Sequence, residues 1–323
     1  MPSSRRTTEV RAFSLETLPK DPHAGGTLKI LLVIEFIALT AAAVWKHDWF
    51  AAAAGVLIPA AALVRTLFVW DKARRTAIVD VTAALEGFLL AWQLVTSNRP
   101  VLDPVYFPAP DTVLRQFFGE LKDMAHGLLS SLYLLGTAYL LSLGTAIPIG
   151  LLVGSSPRLR NAAEPFSKVL SVIPPIVYIP YAIRLLPTFS AASIFVIWSG
   201  AFWPVFANTV AGVVNIPETM LDSARMLHLK RGTFIFRVLL PGAMPSILTG
   251  ASLSLVFSFL LLTAAELIGA TEGLGWYVKD RADFGDYARV IVGIIFIGLV
   301  ITAISAGFKR IEKRILRYKE AGQ

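Results

Sequence analysis

Very little in these 323 residues is equipped to catalyse a reaction. The chain has no cysteine, which removes disulfides, thiolate metal sites and cysteine nucleophiles together. Its four histidines, His23, His47, His126 and His228, are scattered without ligand spacing, so no metal site is expected. There is no G-x-x-x-x-G-K-[ST] phosphate loop, no H-E-x-x-H and no G-x-S-x-G. The residues that stand out do so through their surroundings. Glu266 follows the apolar run Phe257–Ala265, Arg184 lies near Tyr178 and Tyr181, and Asn208 and Thr209 follow Trp203-Pro204. An ionisable group inside an apolar span costs a few kcal/mol and is a functional candidate by default. A carboxylate at Glu266 is suited to pairing with an arginine, holding a gate or facing a water-filled vestibule. Arg184 is suited to attracting an anion or to snorkelling toward headgroups. Asn208 and Thr209 offer neutral hydrogen-bonding groups to a small molecule or to a neighbouring helix. Gly273-Leu274-Gly275-Trp276 allows a tight re-entrant turn or makes a plain surface loop, and Glu35 has Arg65 or Arg75 as candidate partners.

Composition says what must hold these positions. Apolar residues make up 55% of the chain and charged residues 16%, with a mean hydropathy of +0.64; soluble domains carry about 25% charged residues. A bilayer-spanning helix needs about 20 mostly apolar residues. Eight stretches qualify: Leu28–Trp45, Trp49–Trp70, Ile78–Val95, Leu128–Val153, Ala163–Leu186, Ala191–Val214, Ser246–Gly269 and Ala288–Phe308. A soluble protein with buried helices would show polar faces at helical spacing, and Ala51–Val64 and Phe257–Ala265 show none. The expected fold is an all-α, polytopic membrane bundle of about eight spans. Residues 1–26 read as a tail, since the first apolar run lacks a small-x-small cleavage site and meets Lys46-His47-Asp48.

The net charge of +8 reflects orientation in the membrane and does not call for nucleic acid. With a cytoplasmic N-terminus and eight crossings, 21 of the 30 Lys and Arg residues fall on inside segments and 7 on outside ones, with Arg65 and Arg184 within spans. That bias places both termini in the cytoplasm. Outside lies a proline-rich segment, Asn98–Gly127, whose later part carries Val113, Leu114, Phe117, Phe118 and Leu121 as a helical stripe suited to the membrane surface.

Prolines gather at Pro148, Pro174, Pro175, Pro180, Pro187 and Pro204. Kinks in a membrane are tolerated where protein or a water-filled cavity satisfies the freed carbonyls. Ser171–Pro187 and Trp198–Thr209 therefore either line a pathway or serve packing. The inside connection Asn215–Pro245 is different again. Pro217 and Glu218 suit a helix start, and Met220, Ala224 and Leu227 form one apolar stripe while Asp222, Arg225 and Lys230 face elsewhere. A second short amphipathic helix is expected over Thr233–Leu240, stopping at Pro241. Two short helices outside the membrane make a rigid knob for a soluble partner.

This knob resembles the cytoplasmic loop of the membrane permease subunits of bacterial ATP-binding-cassette importers. Their pattern is E-A-A, three residues, G, nine residues, I-x-L-P; Asp222-Ser223-Ala224, His228, Val238, Leu240 and Pro241 fall at those spacings. The resemblance extends over Ile78–Leu316 and is nearest the nitrate, sulfonate, taurine and bicarbonate branch. It is carried by FPAPDTVLRQF (Phe107–Phe117), SVIPPIVYIP (Ser171–Pro180), FWPVFANTVAGV (Phe202–Val213), LPGAMPSILTG (Leu240–Gly250) and AAELIGATEGLGW (Ala264–Trp276). Three departures are visible. His228 stands at the family's glycine, with Gly232 expected to take over the left-handed turn. Lys230 stands at the usual serine, and Leu28–Trp70 adds a helical pair to the usual six spans.

The resemblance implies a non-catalytic pore subunit in the bacterial inner membrane, working as a homodimer. Its partners would be two ATPase subunits that bind ATP and Mg, and an extracytoplasmic binding protein that delivers a small anion. The implied layout is a cytoplasmic tail (1–26), an extra transmembrane hairpin (27–77), a permease core (78–308) with the coupling loop (215–245), and a basic cytoplasmic tail (309–323). ATPase docking then falls to Asp222, Ser223, Ala224, Arg225, Leu227, His228, Lys230, Gly232, Leu240 and Pro241. The path or its gate falls to Pro174, Pro175, Tyr178, Tyr181, Arg184, Trp203, Asn208, Thr209 and Glu266. Glu266 would be a poor direct ligand for an anion, which favours a gating or helix-pairing role. The rival reading is a secondary transporter driven by an ion gradient, which predicts paired acidic residues deep in the bundle and inverted repeats. A membrane anchor without transport is a third.

Overall fold

The computed structural model describes residues 72–316 except Leu94 and residues 97–102. The expected spans Leu28–Trp45 and Trp49–Trp70, the N-terminal tail and the Glu35 pairing lie outside the described residues. The chain divides into two units, one of residues 1–102 and 109–111 and one of the remainder. In the first unit the described helix is α1 (Lys72–Gln93). It carries Asp80 and Glu86 in 22 residues and falls short of the apolarity of a membrane span.

Beyond α1 the described chain is helical throughout, with no strand among the described residues. It runs α2 (Pro110–Gly119), α3 (Leu121–Gly154), α4 (Pro157–Leu170), a 3-10 turn (Pro175–Tyr178), α5 (Ile179–Leu185), α6 (Phe189–Val214), α7 (Glu218–Met226), α8 (Arg231–Phe234), a π-helical turn (Ile235–Leu239), α9 (Leu240–Gly269), α10 (Leu274–Asp283) and α11 (Tyr287–Ile315). Four helices are long and apolar enough to cross a bilayer: α3, α6, the continuous helix Arg231–Gly269 and α11. Helix α4 with Pro175–Leu185 makes a fifth if that pair, bent by 66°, is one span. Among the described residues the span count is thus four to five, and two of the eight expected spans lie outside those residues.

Local chemistry explains where these helices start. Thr188 caps α6 by accepting a hydrogen bond from the Ala191 amide at 3.1 Å, and Asp286 caps α11 by accepting from the Arg289 amide at 3.2 Å. Lys313 and Arg314 in the last turn of α11 suit its negative end.

The prolines act unequally. Pro148, Pro204 and Pro245 lie inside continuous helices, whereas the chain breaks at Pro174-Pro175, where Pro174 is extended (φ −68°, ψ 122°). A single proline costs one helical hydrogen bond, but each residue before a proline is also pushed toward extended backbone. Consecutive prolines apply that bias to both Ile173 and Pro174. At Pro241 the expected helix stop is absent. The π-helical turn immediately before it widens the spiral and shifts the hydrogen-bond register, which accommodates a ring without an N–H. The expected short helix and the span after it are therefore one helix of 39 residues, Arg231–Gly269, roughly 58 Å long at about 1.5 Å per residue.

At the centre, α6 packs against both α3 and α9. Close approach depends on small residues. A Cβ on Gly150 would lie 2.7 Å from Thr209 Cβ, one on Gly154 2.8 Å from Val213 Cβ, and one on Gly212 2.8 Å from Ser246 Cβ. On Gly250 it would lie 2.6 Å from Asn208 Cβ and 2.8 Å from the Pro204 carbonyl oxygen. Around these contacts Leu134, Leu135 and Ala138 of α3, Val196 and Ile197 of α6, and Leu255, Phe259 and Leu262 of α9 form the apolar core. Two cross-helix hydrogen bonds add direction: Tyr139 Oη donates to the Ala251 carbonyl at 2.8 Å, and Trp198 Nε1 donates to Thr145 Oγ1 at 3.0 Å.

The fold predicts a steep response at one glycine. Gly250→Val pushes into backbone rather than into a yielding side chain, so it should destabilise the bundle by about 1–3 kcal/mol. The check is thermal unfolding of the detergent-solubilised chain, with Gly136→Ala, where a Cβ meets nothing within 4 Å, as the comparison expected to melt like the unmodified protein.

Candidate coupling elbow and outer clasp

Helices α7 and α8 and the π-helical turn build a two-faced elbow. Its inner face buries Ile216, Ala224 and Leu239, and Leu221, Phe234, Ile235 and Leu240 pack on a cluster that includes Leu151 of α3, Val213 of α6 and Ala243 and Ile247 of α9. The outer face is apolar and open: Met226 is 81% exposed, Leu227 71% and Phe236 68%. Apolar side chains exposed together on a firm scaffold mark an interaction surface. Asp222 and Arg225 pair across one turn at 2.8 Å, both well exposed, and the Ser223 hydroxyl donates to the Thr219 carbonyl at 2.7 Å.

The turn between the two elbow helices is made by His228 itself. It has φ 47°, the positive-φ non-glycine residue among those described, and its Nδ1 lies 3.0 Å from the Met226 carbonyl oxygen. The expectation that Gly232 would take over this turn fails. Gly232 belongs to α8, following Lys230 in extended backbone (φ −60°, ψ 147°), and its Cβ position is open space. Histidine is among the side chains tolerated in the left-handed region, so the sequence keeps the turn at the position where the resembling family has glycine. Leu240 and Pro241 sit within the long helix, past the elbow.

The remaining path candidates lie between the two ends. Thr209 is fully buried and its hydroxyl donates to the Val205 carbonyl at 2.7 Å. Asn208 Nδ2 donates to the Pro204 carbonyl at 2.9 Å; both residues face the close glycine contacts of the helix packing. Trp203 meets Phe202 and Phe206 edge-on. Tyr178 hydrogen-bonds Ser199 of α6, which ties the broken segment to the core. Pro174, Tyr181 and Arg184 are exposed and Pro175 is half-buried. Among the described residues, the Arg184 side chain has no hydrogen-bond or ion-pair partner.

At the far end of α9, Glu266 is buried (1% exposed) and both carboxylate oxygens are engaged. Ser131 Oγ of α3 donates to Oε1 at 2.6 Å, and the Gly275 amide donates to Oε2 at 2.6 Å. Ser131 in turn accepts from the Leu274 amide at 2.9 Å. The carboxylate thus sits on the first amides of α10, where the helix dipole favours negative charge. Glycine is required here for space and conformation. Gly273 has φ 121° and a Cβ on it would lie 2.5 Å from Glu266 Oε1; one on Gly275 would lie 2.9 Å from Glu266 Cβ and from the Thr263 carbonyl oxygen.

A second polar cluster holds the flank of α10. Glu120, at the α2–α3 junction, accepts from Tyr277 Oη at 3.2 Å, pairs with Arg281 at 3.4 Å and with Arg289 Nε at 2.7 Å. Arg281 also lies 5.2 Å from the centre of the Tyr277 ring. Burial, and then the neighbouring Glu120 carboxylate, pushes the Tyr277 phenol up from its usual range, so it stays a donor at any physiological pH. Sequence reasoning missed Ser131, Glu120 and this cluster. Ser131 is one serine among several in apolar helices, and the partners of Glu120 lie more than 150 residues away.

Known proteins resemble this chain in sequence and in fold. Residues 146–317 match the family described as the binding-protein-dependent transport system inner membrane component. The chain is 31% identical to the nitrate import permease of Leptolyngbya laminosa over 73% of its own length and 88% of the relative's. It is 30% identical to the bicarbonate transport system permease of Synechocystis sp., over 76% and 91%, and 29% identical to the taurine transport system permease of Escherichia coli, over 76% and 91%. The fold is also that of a chain from the MetNI methionine ABC transporter in inward-facing conformations, with TM-score 0.53 and 18% identity, covering 62% of this chain and 99% of that one. By family model and relatives alike, this chain belongs to the binding-protein-dependent inner membrane components, the permease subunits of ATP-binding-cassette importers.

Proposed function

We propose that two copies of this permease enclose the path of a small anion of the nitrate, sulfonate, taurine or bicarbonate class. An extracytoplasmic binding protein delivers the anion, and two ATPase subunits, which carry ATP and Mg, drive its entry. Both termini lie in the cytoplasm, as the lysine and arginine bias favours. The observation that carries this reading is the elbow: exposed Met226, Leu227 and Phe236 on a scaffold rooted in the cores of three spans. The names of the nitrate, bicarbonate and taurine relatives support the anion class. So does Glu266, whose carboxylate is turned onto Ser131 and Gly275 rather than toward a passing anion.

In this reading Asp222, Ser223, Arg225, Leu227, His228 and Lys230 meet the ATPase, and Ala224, Leu240 and Pro241 hold the elbow in place. Nucleotide-driven closure of the two ATPases displaces both elbows together. Packed helices respond by switching between discrete arrangements rather than by bending, so the spans change from inward-open to outward-open. The broken segment around Pro174, Pro175, Tyr178 and Tyr181, with Arg184 beyond it, is largely exposed, and a path can open along it. Solute contact there is brief and weak, and selection rests on the binding protein.

Two variants test the docking surface. Met226→Asp with Leu227→Asp places charge on the exposed apolar face without touching the buried one. It should abolish ATPase co-purification and solute uptake while leaving the amount of permease in the membrane unchanged; uptake that continued without a bound ATPase would favour a secondary transporter. His228→Gly relieves the left-handed strain of an L side chain, so it should retain ATPase binding and stabilise the chain by about 1 kcal/mol, measured by thermal unfolding in detergent.

A further inference from the structure

The clasp and the elbow stand at opposite ends of one helix. Arg231–Gly269 is continuous over 39 residues: its first residues belong to the elbow, and Glu266 lies three residues before its end. At that end Glu266 holds the α10 amides of Gly275 directly and of Leu274 through Ser131. The surroundings leave this arrangement almost no slack. Gly273 and Gly275 have no room for a Cβ against Glu266, and a Cβ on Gly127 of α3 would lie 3.1 Å from the Gly273 carbonyl oxygen. Farther along, α10 meets α11 as closely, since a Cβ on Gly293 would lie 2.7 Å from Val278 Cγ2. Ser131, Gly273, Leu274 and Gly275 are all buried, so water does not compete for the hydrogen bonds.

We infer that Ser131 and Glu266 are a positioning pair that makes α10 travel with α9, so that displacement of the elbow reaches the opposite face of the membrane as movement of α10. This rests on the elbow being the ATPase contact. The long helix acts as the lever, the carboxylate as the joint, and the glycine turn as the close fit that removes play. Glu266 belongs to the mechanism without touching the solute, which explains an acidic residue deep in a pore subunit suited to anions. The Glu120 cluster secures the other side of α10 to the α2–α3 junction and to α11, so α10 answers to all of these helices through named polar contacts.

The absence of native cysteine makes the test direct. Spin labels at Lys279→Cys on α10 and Leu253→Cys on α9, both exposed, are placed in the purified permease–ATPase complex in lipid. Their separation is measured with and without a non-hydrolysable ATP analogue. The inference predicts a narrow distribution whose mean agrees to within about 2 Å, the scale of ordinary helix shifts, between the two states. Ser131→Ala and Glu266→Ala should broaden or shift it in one state and lower uptake about tenfold, in the range expected of a coupling interaction. Ser131→Thr, which keeps the hydroxyl, should restore both. A mean that changes with nucleotide in the chain with its clasp intact overturns the inference even if neither alanine variant folds, as does wild-type uptake by both. A preparation that contains no ATPase overturns the docking reading and this inference with it, whereas a bound, active ATPase alongside a nucleotide-dependent separation overturns the clasp alone.

Discussion

Inside hydrocarbon every backbone N–H and C=O must find its partner within the protein, and the helix Arg231–Gly269 meets that demand across two prolines. Everything else in the described bundle follows from its continuity. Had Pro241 ended a helix, the elbow would hang from the span by a flexible joint, and a push on it would be absorbed there. The π-helical turn Ile235–Leu239 absorbs the missing amide instead. The same rod that buries Ala243, Ile247 and Gly250 against α6 therefore also carries the exposed Phe236 of the elbow. Elbow and membrane span share one continuous helix.

Close packing gives the rod something to act on. Glycines at 150, 154, 212 and 250 bring α3, α6 and α9 within reach of backbone contact. Lipid offers little hydrophobic drive for helix association, so intimate van der Waals contact and a few interhelical hydrogen bonds must supply it. Such an interface is stiff and moves as a unit. The broken segment Pro157–Leu185 contrasts with it: no residue of α4 or of the 3-10 turn is buried, and its tie to the core comes from half-buried Ala163, from Ile179 and Ala182, and from the Tyr178–Ser199 bond.

Much of this was legible in the residues alone. The apolar runs gave the central spans because a helix in lipid needs no polar face, and the elbow was visible because an amphipathic stretch between apolar runs has no other use for its stripe. Its internal shape was not legible. Proline at 241 reads as a stop until the π-helical turn is known, and the left-handed turn reads as a glycine's task until His228 is seen to perform it. Glu266 was conspicuous, as a carboxylate in apolar surroundings always is. Its role required Ser131 and the turn at 273–275, which lie at separations that local patterning does not encode. Asn208 and Thr209 were conspicuous for the same reason, and each satisfies its polar group on its own helix.

The central claim is that the elbow faces a cytoplasmic ATPase. It is tested most directly by a single cysteine at Met226, introduced into the otherwise cysteine-free chain and treated in intact cells with a membrane-impermeant thiol reagent, then in membranes with a short thiol-reactive cross-linker. The account predicts no labelling from outside and a cross-link to the ATPase chain. Labelling of residue 226 in intact, sealed cells, or a cross-link confined to the permease itself, would contradict it.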